Sequence, residues 1–374
     1  MKPSTIAELK EVIHSYACLL PRGGGSKAAL SVPPQGVTPL EVGGLSGMLE
    51  YQPSEYTFTA LAGTPLVEVD RVLAENGQFL PFDPPLAERG ATLGGTVAAG
   101  LSGPARYRYG GVRDFVLGVR FVNAQGELVR SGGKVVKNAA GFDLAKLMVG
   151  SLGQYGALVE ISFKVFPRPI AYATLRADYS NLPVALDALV RSSGLSLELF
   201  GLEVMPASAG GFSLLARLGG LPETFPARLE RLQRAIGQQA ENFTMLRDEV
   251  EAEFWRDYRE FGWLPPHYAL VKIHLTPARL PPLEAKLAEA GALRRYSTGA
   301  NLAWVGWRET MESLDRSLQV LNLSGLVVLG ANDKVCLGVQ RSDSFARRVK
   351  QALDPQNKFF EQSLPRTKNS AAGL

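Results

Sequence analysis

Apolar positions near the start of the chain recur at helical spacing. Ile6, Leu9, Val12 and Ile13 form one stripe behind Ser4-Thr5, which predicts a capped amphipathic helix over 4–14. A short apolar strand, Tyr16 to Leu20, follows and ends at Pro21-Arg22-Gly23-Gly24-Gly25-Ser26. Alternation predicts a strand from Tyr56 to Ala62. Thr64-Pro65 then opens a helix carrying Leu66, Val69, Val72 and Leu73, stopped at Asn76-Gly77. Val116 to Val122 and Glu127 to Val129 flank Asn123-Ala124-Gln125-Gly126 as a hairpin, and 157–165 reads as another strand.

Pro167-Arg168-Pro169 marks the expected end of a first domain, 1–170. Beyond it the pattern changes. Strands are predicted at 172–177, 197–204, 212–218, 268–275, 302–307, 326–329 and 335–339. Helices are predicted at 182–192, 226–237, 248–260, 282–290, 309–320 and 343–353. Helices alternating with short strands point to an α+β cap domain over 171–345, with an antiparallel sheet bearing helices on one face, and a C-terminal helix and tail over 346–374.

Composition narrows the class. With 46% hydrophobic and 20% charged residues the chain is neither disordered nor fibrous. A net charge of +4 with no basic stripe gives no footprint for nucleic acid. No apolar run approaches the ~18–20 residues of a membrane span, and Glu8, Lys10 and Glu11 stand where a signal peptide would be apolar. A cytoplasmic protein is the expectation. Cys18 and Cys336 are the only cysteines, so this chain cannot supply a four-cysteine iron–sulfur site.

Glycine placement carries more. Of 39 glycines, 24 fall in residues 1–170 and 15 lie between Gly90 and Gly156. The first cluster, Gly23-x-Gly25-x-x-Ala28, formally fits a dinucleotide fingerprint. That fingerprint needs a helix directly afterwards to face a pyrophosphate, and Pro33-Pro34 leaves no room for one. A phosphate-binding Walker loop is excluded because no Gly-Lys-Ser or Gly-Lys-Thr occurs. The second cluster runs from Asp83-Pro84-Pro85 into 91–104, a stretch of nearly uniform small residues. The third is Gly150 to Gly156, after a short helix at Leu144 to Val149. Three such loops in one domain suit a backbone wrapped around an extended polar ligand such as a diphosphate.

Arg22 to Ser26, Thr92-Leu93-Gly94-Gly95-Thr96, 105–114 and 137–156 occur in that order. Together they resemble the FAD-binding domain of the vanillyl-alcohol oxidase/para-cresol methylhydroxylase (PCMH-type) flavoprotein superfamily, and within it the FAD-binding subunits of bacterial glycolate oxidases. The resemblance covers about 1–170 and is scattered beyond. It implies two α+β subdomains holding FAD, then a cap over the flavin. By position, Arg22, Gly23, Gly24, Gly25, Ser26 and Lys27, with Thr92, Gly94, Gly95 and Thr96, would meet the pyrophosphate. Pro84, Gly100, Ser102 and Gly103 would lie toward the ribityl chain and ring, and Gly153, Gly156 and Val159 would line the other end. Some relatives tether FAD through a His beside the first glycine loop; here Ser26-Lys27 stands there and His14 is the only early histidine, so FAD is expected to be non-covalent. The His-x-Gly-Asp-Gly-Asn type motif of relatives that bind metal and substrate is absent, and no metal is expected.

Chemistry-bearing side chains are few. The histidines are His14, His267 and His274; the last two stand seven apart on a predicted strand, on opposite faces. Tyr268, Lys272 and His274 would share a face, with a solvated Lys272 the plainer reading. Arg106, Arg108 and Arg113 surround Tyr107 and Tyr109; one could clamp a carboxylate, although pairing with Asp114 and nearby acids is the simpler expectation. Lys137 is most simply a surface cation, and Trp255, Tyr258, Phe261 and Trp263 packing residues. Arg106, Tyr109, Lys272 and His274 are thus the only catalytic candidates, and none is an evident base. The resulting expectation is an FAD subunit of a heteromeric glycolate oxidase or D-2-hydroxy-acid dehydrogenase. The resemblance implies a catalytic flavin subunit and an iron–sulfur subunit as partners, peripheral to a membrane through them. The alternatives are a self-sufficient flavin dehydrogenase of a small alcohol or hydroxy acid, and a flavin-less scaffold.

Overall fold

A computed structural model describes residues 1–133, 143–208, 210–330, 334–340 and 343–362. Lys137 and the 137–142 part of the 137–156 motif therefore lie outside the described residues.

The first helix, Ile6–Ser15, is capped by Thr5, whose side chain accepts from the Glu8 amide. Its stripe buries Leu9 and Ile13 completely. The following strand is Leu19–Arg22 rather than 16–20, and it pairs in parallel with Thr38–Glu41. The Gly23–Gly25 loop leads into a single helical turn, Ala28–Ser31, as much helix as the prolines allow. A five-stranded antiparallel sheet forms the body of this half, in the order Met48–Gln52, Thr57–Leu61, Ala157–Lys164, Val116–Val122, Leu128–Gly132. The predicted hairpin over 116–129 is its edge. The helices Leu93–Ala99 and Leu144–Leu147 pack on it, and Leu66–Ala74 adds Leu66, Val69 and Leu73 to the same core.

The second half is built on a nine-stranded sheet whose pairings are all antiparallel. Seven of its strands match the predicted segments to within a few residues; Asn242–Arg247 and Leu293–Ser297 were not anticipated. One face buries Ala173, Leu175, Leu214, Ala216, Val271 and Ile273 under the helices Leu182–Ser193, Phe225–Ile236, Leu280–Glu289 and Met311–Val320. The opposite face turns toward the glycine-rich half, and Leu270, Leu302, Trp304 and Val328 join the core of that half. The helix Asp248–Glu260 packs on this inner face. There Glu251 takes a bidentate pair of hydrogen bonds from Arg217 at 2.7 and 3.0 Å and a third from Thr174 at 2.9 Å. Trp255, Tyr258 and Phe261 are buried, as packing residues should be.

After the nine-stranded sheet the chain returns to its start. The Leu19 amide donates to the Lys358 carbonyl at 2.7 Å and the Phe360 amide to the Leu19 carbonyl at 2.8 Å. Among the described residues no helix is long and apolar enough to cross a membrane.

Candidate active site

Two glycine loops meet back to back. A Cβ on Gly23 would lie 2.0 Å from Thr92 Oγ1, and one on Gly24 would lie 1.9 Å from the Gly90 carbonyl oxygen. Neither position admits a side chain, so the loop 22–27 is pressed onto the start of the Leu93–Ala99 helix. Gly25, at φ +72°, faces open space on the other side. The resulting cleft has about 430 Å³ of empty volume and is lined by Pro21 to Lys27, Thr92, Gly95, Ala98, Ala99, Leu152 and Gln362. A contiguous part is lined by Gly94, Ser151, Gly153, Gly156 and Leu158.

The groups around it lack partners that an anionic ligand would supply. Lys27 is only 5% exposed, and among the described residues its ammonium hydrogen-bonds only to the Ser26 hydroxyl, at 3.2 Å. Burial, offset in part by Glu260, pushes its pKa down to about 8. Thr96, expected at the pyrophosphate, is fully buried with its hydroxyl unpartnered and is not among the residues that line the cleft. A narrow, glycine-walled cleft with a buried ammonium fits the diphosphate of FAD. Arg22 contributes only its backbone here, because its guanidinium is engaged by Glu41 and donates to the Ser31 carbonyl.

The remaining expected cofactor residues are spread along this frame. Gly100 ends the Leu93–Ala99 helix at φ +62°. Ser102 accepts from the Val112 amide at 2.9 Å, and Gly103 packs so closely on Asp83 that a Cβ would lie 2.2 Å from its carbonyl oxygen. Pro84 lines a second, larger cleft between the two halves. Val159 is wholly buried, while its neighbour Leu158 reaches the cleft. Sequence reasoning missed Ala98, Ala99, Leu152 and Gln362. The alanines lay within the run of small residues already noted, but Gln362 arrives from the far end of the chain with no local signal.

Three of the four catalytic candidates converge. Lys272 lies on the strand Ala269–His274, on the inner sheet face, opposite Trp304 and Leu326 of the flanking strands. It is not the solvated cation expected: it is 5% exposed, because the glycine-rich half closes over this face. Its ammonium donates to the Gly100 carbonyl at 3.2 Å. Burial first, and the Arg106 charge second, lower its pKa to about 7. His274, two residues on, is exposed at its edge but crowded by protein. That crowding, then Lys272 and Arg106, hold its pKa down to about 4, so it is neutral at pH 7. His267 precedes the strand and takes no part.

The expected pairing of the three arginines with Asp114 is also not what forms. Asp114 accepts from the Gly111 amide, Arg108 pairs with Glu198 at 2.7 Å, and Arg113 donates to the Lys146 carbonyl. Among the described residues no carboxylate pairs with Arg106 or Lys272. Tyr109 points elsewhere, edge-on to Phe79, Phe166 and Phe200.

Comparison with known proteins agrees with this geometry. Residues 1–132 match the model of an FAD binding domain. The chain is 39% identical over 255 residues to glycolate oxidase subunit GlcE of Escherichia coli (strain K12), spanning 68% of this chain and 67% of that one. It is 29% identical to glycolate oxidase subunit GlcD of Bacillus subtilis (strain 168), covering 53% of it. It is 31% identical to a D-2-hydroxyglutarate dehydrogenase of Xanthomonas citri pv. viticola, covering 36% of it. An alkyldihydroxyacetonephosphate synthase structure superposes with a TM-score of 0.71 over 96% of this chain and 74% of its own, at 16% identity, a likeness of fold. The chain belongs to the family of glycolate oxidase subunit GlcE, with an FAD binding domain matched over residues 1–132.

Proposed function

We propose that this chain is the FAD-binding subunit of a heteromeric oxidase of glycolate or related D-2-hydroxy acids, working beside a catalytic flavin subunit and an iron–sulfur subunit. The observation that supports an anionic substrate most directly is the group Arg106, Lys272 and His274, without a carboxylate among the described residues. It sits where the Leu93–Ala99 helix ends, one helix length from the diphosphate loop, a span of about 10 Å at 1.5 Å per residue. A substrate carboxylate would supply the missing charge, with Arg106 as the fork-shaped clamp and neutral His274 as a hydrogen-bond donor.

FAD bound in the cleft supplies a two-electron hydride acceptor. The residues of the chain do the rest. The amides of 23–25 and the Lys27 ammonium hold the diphosphate, and Ala98, Ala99 and Leu152 give the cofactor apolar walls. Trp304 and Leu326 keep water from Lys272. FAD is held without a covalent bond in this reading. His14 lies against Gly126, where a Cβ would sit 2.3 Å from its ring nitrogen, and is not among the cleft residues. Cys18 and Cys336 are both free and do not make a cluster site, so in this reading electrons leave to a partner protein or a diffusible acceptor. Any attachment to a membrane would run through those partners.

The position of the Arg106, Lys272 and His274 group on this same chain, one helix length from the diphosphate loop, favours a second reading, that this flavin oxidises substrate unaided. Anaerobic titration with glycolate and with D-lactate separates the two. The subunit reading expects the isolated flavin to stay oxidised and to bleach once partner subunits are added; bleaching of the isolated chain selects the second. A colourless preparation that takes up no FAD sinks both. Acid precipitation should leave all flavin in the supernatant.

A further inference from the structure

We propose that Lys272 is the proton acceptor of this site: its amine takes the hydroxyl proton of a 2-hydroxy acid whose carboxylate is held by Arg106. This rests on the functional reading above and supplies the base that the sequence lacked.

The argument is one of surroundings. A buried lysine ordinarily faces a carboxylate, because burying an unpaired charge is costly. Lys272 faces none among the described residues. Its own strand presents His274 two residues on, and the adjoining strands present Trp304 and Leu326. The short helix Arg106–Tyr109 brings the Arg106 charge, and the end of the Leu93–Ala99 helix brings the Gly100 carbonyl at 3.2 Å. Among the described residues the charged group there, Arg106, opposes the ammonium form, and the Gly100 carbonyl favours it. With its pKa lowered to about 7, a large fraction of the amine is free near neutrality, the condition for a general base. His274 is already neutral, but its pKa of about 4 makes it a poor acceptor.

The bookkeeping is simple. The substrate O–H bond breaks and its proton binds the lone pair of Lys272 Nζ. The C–H bond breaks and its hydride, with both electrons, passes to oxidised FAD. The carbonyl of a 2-oxo acid forms, and the ammonium later returns its proton to solvent.

Two variants and two readouts test this. In the complex that bleaches, flavin reduction at glycolate concentrations well below saturation, which reports the ligand-free site, should rise with pH through about 7 and then level off. Lys272→Met and Lys272→Arg should each lose about 10²–10⁴ in reduction rate and lose that rise, since a guanidinium does not deprotonate. Both should retain FAD. Independently of turnover, oxalate binding to the FAD-loaded chain at pH 8 is followed calorimetrically in buffers of different ionisation enthalpy. The oxalate charge raises the affinity of Lys272 for a proton, so the wild type should take up most of one proton and Lys272→Met none. A Lys272→Arg protein reduced at the wild-type rate and pH profile overturns the inference. So does oxalate binding without proton uptake in the wild type. Failure of every 2-hydroxy acid to reduce the flavin, with proton uptake intact, instead overturns the functional reading while leaving the free amine of Lys272 in place.

Discussion

Gly24 and Gly25 are neighbours with opposite jobs. A methyl group on Gly24 would collide with the Gly90 carbonyl, a backbone atom that cannot move aside cheaply. Gly24→Ala should therefore cost about 1–3 kcal/mol, as overpacking does, and also lose FAD; thermal melts and bound-flavin stoichiometry check both. Gly25→Ala meets no atom in the protein and pays only for φ +72°, about 1–2 kcal/mol. Its methyl points into open cleft, so FAD affinity should fall more than apo stability does. A second residue-scale effect comes from Glu203, wholly buried in the sheet. Burial raises its pKa to about 8 despite hydrogen bonds from Tyr258, Ser297 and the Thr298 amide. Between the unfolded carboxyl value and pH 8 the folded state holds a proton that the unfolded state has released. Stability from this group is thus full at low pH and falls as pH rises toward 8, by about 1.4 kcal/mol per unit at most. Glu203→Gln should remove that slope and melt higher than wild type at pH 8. The glycines were visible in the sequence as a surplus in the right half. Glu203 was not, because nothing local says that a strand carboxylate will be enclosed.

Elements with clear alternation were readable: the hairpin over 116–129 and most strands of the large sheet lie where the hydrophobic period put them. Leu93–Ala99 was not readable as a helix. Gly94 and Gly95 lower helix propensity by about 1 kcal/mol each relative to Ala, and the helix forms because tertiary packing leaves no room there. A Cβ on Gly94 would lie 2.7 Å from the Ala62 side chain. Asn242–Arg247 was missed for a different reason: it is an edge strand with no fully buried residue, and its alternation, Asn242, Phe243, Thr244, Met245, is too short to stand out. Asp248–Glu260 was placed correctly by its aromatic spacing, but its anchoring was not. Glu251 is 2% exposed and neutralises Arg217. Glu251→Ala should cost about 3–5 kcal/mol by leaving that guanidinium buried and unpaired, with Glu251→Gln milder; urea denaturation gives the comparison.

Across the whole molecule, the two halves share one interior. Leu270, Leu302 and Trp304 of the large sheet belong to the core that surrounds the glycine loops, and the chain end pairs with Leu19 beside them. Cofactor binding should accordingly stabilise more than the first half. At free FAD one hundred times its dissociation constant, linkage predicts about 2.7 kcal/mol. The transition should stay single and move up with FAD concentration. A first transition that shifts while a second stays fixed would show that the halves unfold apart.

The sequence by itself determined the secondary-structure classes, the contrast between a glycine-rich first half and an α+β second half, and the kind of ligand the loops can hold. These depend on hydrophobic period and on where a side chain is missing, both local properties. Only the tertiary structure decided that Lys272 is buried rather than solvated, that Arg106 joins it without Asp114, and that Gln362 completes the cleft. Arg106 and Lys272 are 166 positions apart, Gln362 is more than 330 from the first glycine loop, and a charge takes its proton affinity from what surrounds it in space.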